Sequence, residues 1–230
     1  MRLQKYLSEI GFCSRRQAEA YIQAGKILVN GMPARLGDKV TGRETITVDG
    51  QRLQMTTPTK KMLIFNKPRH VECTLSAMGS VKTLLDFDFG LDRVFPVGSM
   101  DRETHGLLLM TNDGDLANRL AHPSRQHEEE YRVTVEQHLH AEIVKLFAKG
   151  TVHNTVGIAV HSVQQCGEHE LCCVLHEGRS RYIRRICDAI GLKIIDCKRV
   201  RVGDLSLGDL GPGSWRRLTE QELGALRQSF

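Results

Sequence analysis

The chain has 230 residues, 40% hydrophobic and 26% charged, which is enough apolar material for one large domain or two smaller ones. No run approaches the ~20 apolar residues that span a bilayer, and Lys5 and Glu9 interrupt the N-terminal stretch, so neither a membrane span nor a signal peptide is expected. The net charge of +5 is uneven: residues 1–60 hold ten Lys/Arg against five Asp/Glu, while the rest carries 22 of each sign, the pattern of a nucleic-acid-binding arm on a neutral body.

Leu3, Tyr6, Leu7 and Ile10 share one face of a helix that Gly11 ends. Ser14 and Gln17 have the spacing of a capping box, so a second helix begins after Ser14, turns Ala18, Tyr21 and Ile22 inward, and stops at Gly25. A strand at 27–29 runs into an Asn30-Gly31 turn, and another at 45–48 into Asp49-Gly50. Arg15 and Arg16 in the first turn of the second helix, with Lys26 beyond its end, are placed to meet phosphates. In their order, RLQKYLSEIG, SRRQAEAYIQAGKILVNG and ITVDG resemble the S4 RNA-binding domain. The resemblance implies an RNA-binding module over residues 1–53.

Residues 54–61 lack periodicity, contain one proline and read as a linker. The body at 62–230 opens with a strand at Met62-Leu63-Ile64-Phe65. The apolar run 106–111 is a buried strand closed by an Asn112-Asp113-Gly114 turn, and 116–120 is a short helix. Tyr131, Val133 and Val135 alternate as a half-buried strand, residues 141–149 are helical in pattern, and 171–175 form a further strand. Ile183, Ile186, Cys187 and Ile190 give the following segment a helical apolar face. Without regular strand–helix–strand units or a glycine-rich nucleotide loop, the class is α+β, a small N-terminal domain followed by a mixed, mainly antiparallel sheet domain. Seven cysteines without CxxC pairs read as reduced thiols, and ten scattered histidines predict no metal site.

Three segments of the body carry the chemistry. Asn66-Lys67-Pro68 follows a strand. Asp101 lies three residues before Thr104, a spacing ordinarily used by a turn in which Asp bonds local backbone. Arg179, Arg181, Arg184 and Arg185 crowd into seven residues. Together DRETHGLLLMTNDG, the HPS…EEEYRVTV stretch, EGRSRYIRRICDAIG and GSWRRLTEQEL resemble the pseudouridine synthases, and the S4-like arm narrows this to the RsuA family acting on ribosomal RNA.

That resemblance implies Asp101 as the catalytic carboxylate, Tyr131 stacking near a flipped uracil, and Arg184 paired with Asp101. Ile183 would pack beneath the site, and Lys67 and Pro68 would form its floor. It further implies isomerisation of a uridine without a cofactor, by a cytoplasmic monomer whose partner is ribosomal RNA or a pre-ribosomal particle. Arg179, Arg181 and Arg185 join the RNA-binding set. Two positions depart from the family: Ser99 replaces an arginine after Gly98, and Arg69-His70 replaces a glycine after Lys67-Pro68. Arg69 is expected to supply the missing cation at the pocket rim. The alternative reading is a non-catalytic ribosome-assembly factor that retains the RNA-binding surface.

Overall fold

The computed structural model describes residues 1–54, 58–90, 93–121, 128–149, 160–176 and 180–228. The chain divides into two compact units, Met1–Lys61 with Asn112–Gly114, and Met62–Thr111 with Asp115–Phe230.

The first unit packs α1 (Leu3–Glu9) and α2 (Arg15–Gln23) with a four-stranded sheet. Ser14 starts α2 as its spacing predicts: its Oγ accepts from the Gln17 N–H at 3.1 Å, and Gln17 Oε1 accepts from the Ser14 N–H at 3.0 Å. The strands are β1 (Ile27–Val29), β2 (Met32–Pro33), β3 (Ile46–Val48) and β4 (Gln51–Arg52), in the order β2-β1-β3-β4. Asn30 and Gly31 both take positive φ, 51° and 80°, which matches the twist of a two-residue hairpin. Leu3, Leu7, Ala18, Ile22, Ile27 and Ile46 form the core.

The second unit contains β5 (Met62–Lys67), β6 (Phe95–Pro96), β7 (His105–Thr111), α3 (Gly114–Leu120), β8 (Glu129–Val135) and α4 (Ala141–Lys149). There follow β9 (Val160–Gln165), β10 (Glu170–Leu175), α5 (Ser180–Ala189), β11 (Ile194–Val202), β12 (Leu205–Ser206), β13 (Trp215–Arg217) and α6 (Glu220–Gln228). The sheet runs β13-β5-β7-β11-β8-β10-β9, with β6 beside β7 and β12 beside β11. Among the described residues its pairs are antiparallel except β7 with β11, so the sheet is mixed and mainly antiparallel. The expected turn at 112–114 is a residue shorter, because Gly114 opens α3.

Both faces of β5 and β7 are covered, which explains their unbroken apolar runs. Leu63, Phe65, Leu108 and Met110 pack with Val71 and Leu84 on one side; Met62, Ile64, Leu107 and Leu109 pack with Leu205 and Leu218 on the other. On α5, Ile183, Ile186 and Cys187 pack against Tyr131, Val133, Leu171 and Cys173.

The reading of seven reduced thiols is corrected at one pair. Cys166 and Cys172 are joined by a disulfide, because the β9–β10 turn brings their Cα atoms to 5.9 Å. Cys13, Cys73, Cys173, Cys187 and Cys197 form none.

Candidate active site

Asp101 sits in the loop before β7, and its carboxylate is organised by the loop itself. Oδ1 accepts from the backbone N–H groups of Glu103 (3.0 Å) and Thr104 (2.7 Å), and Oδ2 accepts from Thr104 Oγ1 at 2.9 Å. The turn reading of the Asp–x–x–Thr spacing is therefore correct. It is also compatible with chemistry, since the turn fixes the carboxylate while its side chain stays 18% exposed. From α5, Arg184 reaches Oδ1 with Nη2 at 3.4 Å. The helix presents Ile183 to the core and leaves Arg181 and Arg185 outside, so its 3.6-residue period separates packing from charge. Arg179 lies outside the described residues.

Lys67 ends β5 completely buried. Its ammonium donates to the carbonyls of Pro68 (3.0 Å), Val71 (2.8 Å) and Arg102 (3.5 Å), so all three protons are used. Burial pulls its pKa down to about 8, a fall tempered by its ionisable neighbours Cys73, Asp101, Glu72 and Glu103. Lys67 thus ties the Pro68–Val71 turn to the backbone of the residue after Asp101.

Tyr131, expected to stack near the flipped base, has its ring wholly buried, and its hydroxyl donates to Glu129 Oε2 at 2.5 Å. Arg199 completes the group, with Nη1 on Glu129 Oε1 at 2.8 Å and Nε on the Leu107 carbonyl at 2.7 Å. Burial, and then the Glu129 charge, raise the Tyr131 phenol well above its ordinary range. Burial opposes the Arg199 charge, but Glu129 and Tyr131 outweigh it and its pKa rises. Residue 131 lies on the inward side of β8, where a polar tip needs a buried partner. Glu129 and Arg199 escaped the sequence reading; an Arg inside β11 looks like surface until its partner is known.

Arg69 is anchored, with Nη1 on the Ile195 carbonyl (2.9 Å) and Asp196 (3.3 Å), and Nη2 3.7 Å from Glu103. Asp196 also pairs with His105 at 2.9 Å. Two carboxylates therefore share the Arg69 charge, which makes it a clamp between β11 and the Asp101 loop. Arg102 is exposed and, among the described residues, its side chain has no such partner; Ser99 is exposed as well. His70, where the family carries glycine nearby, takes φ 62° and holds Glu103 at 3.2 Å.

In the first unit Arg15 and Arg16 are exposed in the first turn of α2, the end where the helix dipole favours anions over cations. Lys26 is exposed too, paired with Asp49 at 3.3 Å.

The fold brings together some histidines that are scattered along the sequence. Strand pairing gathers two groups of two His and one Glu, Glu128–His161–His176 and His138–Glu168–His169. Members of each come from distant parts of the sequence, beyond the reach of any local spacing rule.

Comparison with known proteins places these features. The RNA pseudouridylate synthase model matches residues 61–189 and the S4 domain model residues 1–46. The Dual-specificity RNA pseudouridine synthase RluF of Escherichia coli K12 is 34% identical over 224 residues, spanning 97% of this chain and 77% of that protein. The Ribosomal large subunit pseudouridine synthase B of Bacillus subtilis is 35% identical over 237 residues, spanning 98% and 95%. A crystal structure of a pseudouridylate synthase matches at TM-score 0.70 and 24% identity, over 98% of this chain and 99% of that one, which supports the fold. Matched across more than half its length by the synthase model and nearly end to end by such relatives, the chain belongs to the RNA pseudouridylate synthase family and carries an S4 domain at its N-terminus.

Proposed function

We propose that the protein isomerises a specific uridine of ribosomal RNA to pseudouridine, with Asp101 as the reacting carboxylate. The observation that carries this reading is the carboxylate itself: held by two backbone N–H groups and the Thr104 hydroxyl, paired with Arg184, and still partly open. The reaction breaks the C1′–N1 glycosidic bond, turns the uracil and joins C5 to C1′; the C5 hydrogen leaves as a proton and N1 gains one. A fixed carboxylate can attack the sugar carbon or stabilise the positive charge that grows there, and its donors already hold it in place without further rearrangement. Arg184 orients it from α5. Lys67, through the Arg102 carbonyl, and Arg69, through Glu103, brace the same loop. Because a paired uracil hides its sugar, the base is flipped out of the RNA to reach Asp101. Arg15, Arg16 and Lys26 of the S4 domain, with Arg181 and Arg185 on α5, hold phosphates and position the substrate. The relatives named for RNA and large-subunit modification support the substrate class.

Asp101→Asn tests the reading. It is nearly isosteric and removes only the anion, so single-turnover tritium release from C5-labelled ribosomal RNA should fall by orders of magnitude while RNA affinity stays within a few fold. Turnover above about a hundredth of wild type removes Asp101 from the role. Ser99, which replaces the family arginine, favours the non-catalytic alternative. A wild-type protein inactive on every ribosomal RNA tried, yet switched on by Ser99→Arg, would establish that alternative.

A further inference from the structure

We propose that His138, Glu168 and His169 form a binding site for a borderline divalent cation, Zn²⁺ being the best fit, where the loop after β8 meets the β9–β10 turn. His138 lies in the loop from β8 to α4, and Glu168 and His169 lie in the β9–β10 turn. One ligand atom from each of the three falls within 4.8 Å of the other two. His138 Nδ1 is 3.0 Å from Glu168 Oε1, close to the ~3.3 Å that separates neighbouring ligands around tetrahedral zinc with its 2.0–2.1 Å bonds. The imidazole centroids are 4.4 Å apart.

The second observation concerns how these groups are held. His169 Nδ1 lies 3.0 Å from the Gln137 carbonyl, which can only accept, so Nδ1 carries the proton and Nε2 is left as the bare nitrogen. A metal-binding histidine is characteristically fixed in this way, its far nitrogen donating to a carbonyl or carboxylate. The supports are themselves pinned: the Val135 N–H donates to the His169 carbonyl and the Leu139 N–H to the Glu168 carbonyl, both at 2.9 Å. Gln137 accepts from the Lys193 N–H at 3.0 Å and donates to the Gly191 carbonyl at 3.2 Å. The Cys166–Cys172 disulfide closes the turn that carries Glu168 and His169. Two imidazoles and one carboxylate, with water in the fourth position, are a set suited to zinc, whereas the all-oxygen sets preferred by magnesium and calcium are absent from this group. The other triple is the poorer site, because Arg201 already neutralises Glu128 at 3.1 Å.

Calorimetric titration of the full chain with Zn²⁺, with Co²⁺ absorption reporting the coordination number, tests the proposal. Wild type should show a saturable site with a four-coordinate Co²⁺ spectrum and a zinc-dependent rise in Tm. Glu168→Gln, on an exposed side chain where the fold is not at stake, should weaken binding by at least about tenfold and abolish the Tm rise, as should His169→Ala. His161→Ala should bind as wild type does. Wild type without saturable binding, or Glu168→Gln binding as tightly as wild type, overturns the proposal and leaves His138–Glu168 an ordinary ion pair. Loss of binding in His161→Ala but not in Glu168→Gln overturns it in favour of the other cluster.

Discussion

Lys67, near Asp101, is a charged group with no exposed surface. With its pKa near 8 in the folded chain against an ordinary 10.5, it stays protonated and penalised below pH 8. Between about pH 8 and 10.5 the unfolded chain holds this proton and the folded chain does not, so the Lys67 contribution to stability rises with pH across that window, by roughly 3 kcal/mol in total. Urea unfolding of wild type and Lys67→Met at both ends of the window should therefore give free energies whose difference shifts in favour of wild type as pH rises. Parallel pH profiles would show that Lys67 does not titrate there. Residues of this kind resist reading from sequence: the resemblance placed Lys67 at a pocket floor, but nothing local showed the three carbonyls its buried ammonium meets. Asp101 and Arg184 were singled out through the family resemblance, and the structure brings them to 3.4 Å of each other across 83 positions, a contact no local pattern announces.

At the scale of elements, the seam between β7 and β11 decides the geometry. Arg199 is opposite Gly106, and a Cβ on Gly106 would lie 2.2 Å from the Arg199 carbonyl oxygen, with φ at 103° adding strain. Backbone on both sides leaves nothing to yield. Gly106→Ala should therefore cost at least about 3 kcal/mol in urea unfolding, combining overpacking with a left-handed backbone; a loss under about 1 kcal/mol would mean the strands separate freely. The glycine was visible as part of GLLLMT, but its reason was not, since the contact joins residues 93 positions apart. The strand β11 itself went unread: Lys198, Arg199 and Arg201 give it the look of surface, although Arg199 is buried against Glu129 and Arg201 reaches Glu128 and Glu130. A strand stabilised by cross-strand charge pairs has no apolar run to announce it.

At the scale of the molecule, recognition and chemistry are assigned to separately cored units. If the S4 unit contributes phosphate contacts, replacing Arg15 and Arg16 together by alanine should raise the dissociation constant for ribosomal RNA and reduce the slope of log K against log salt by about 1.5. An unchanged slope would exclude both side chains from the interface. In the first unit both helices, β1 and β3 were read because their signals are local caps and turns, whereas the two-residue strands β2 and β4 were not. The order of the larger sheet was beyond sequence, since its strands pair out of chain order.

That order has a consequence in time. The parallel β7–β11 junction unites the flank β13-β5-β7 with the flank β11-β8-β10-β9. Its partners are far apart along the chain, so its closure must await a large loss of loop entropy, and such pairings form slowly. Asp101 hangs on the loop that enters β7, whereas Arg184 rides on the helix that precedes β11. The ion pair between them therefore straddles a long-range seam, and a nascent chain can form local helices and hairpins before Asp101 and Arg184 meet.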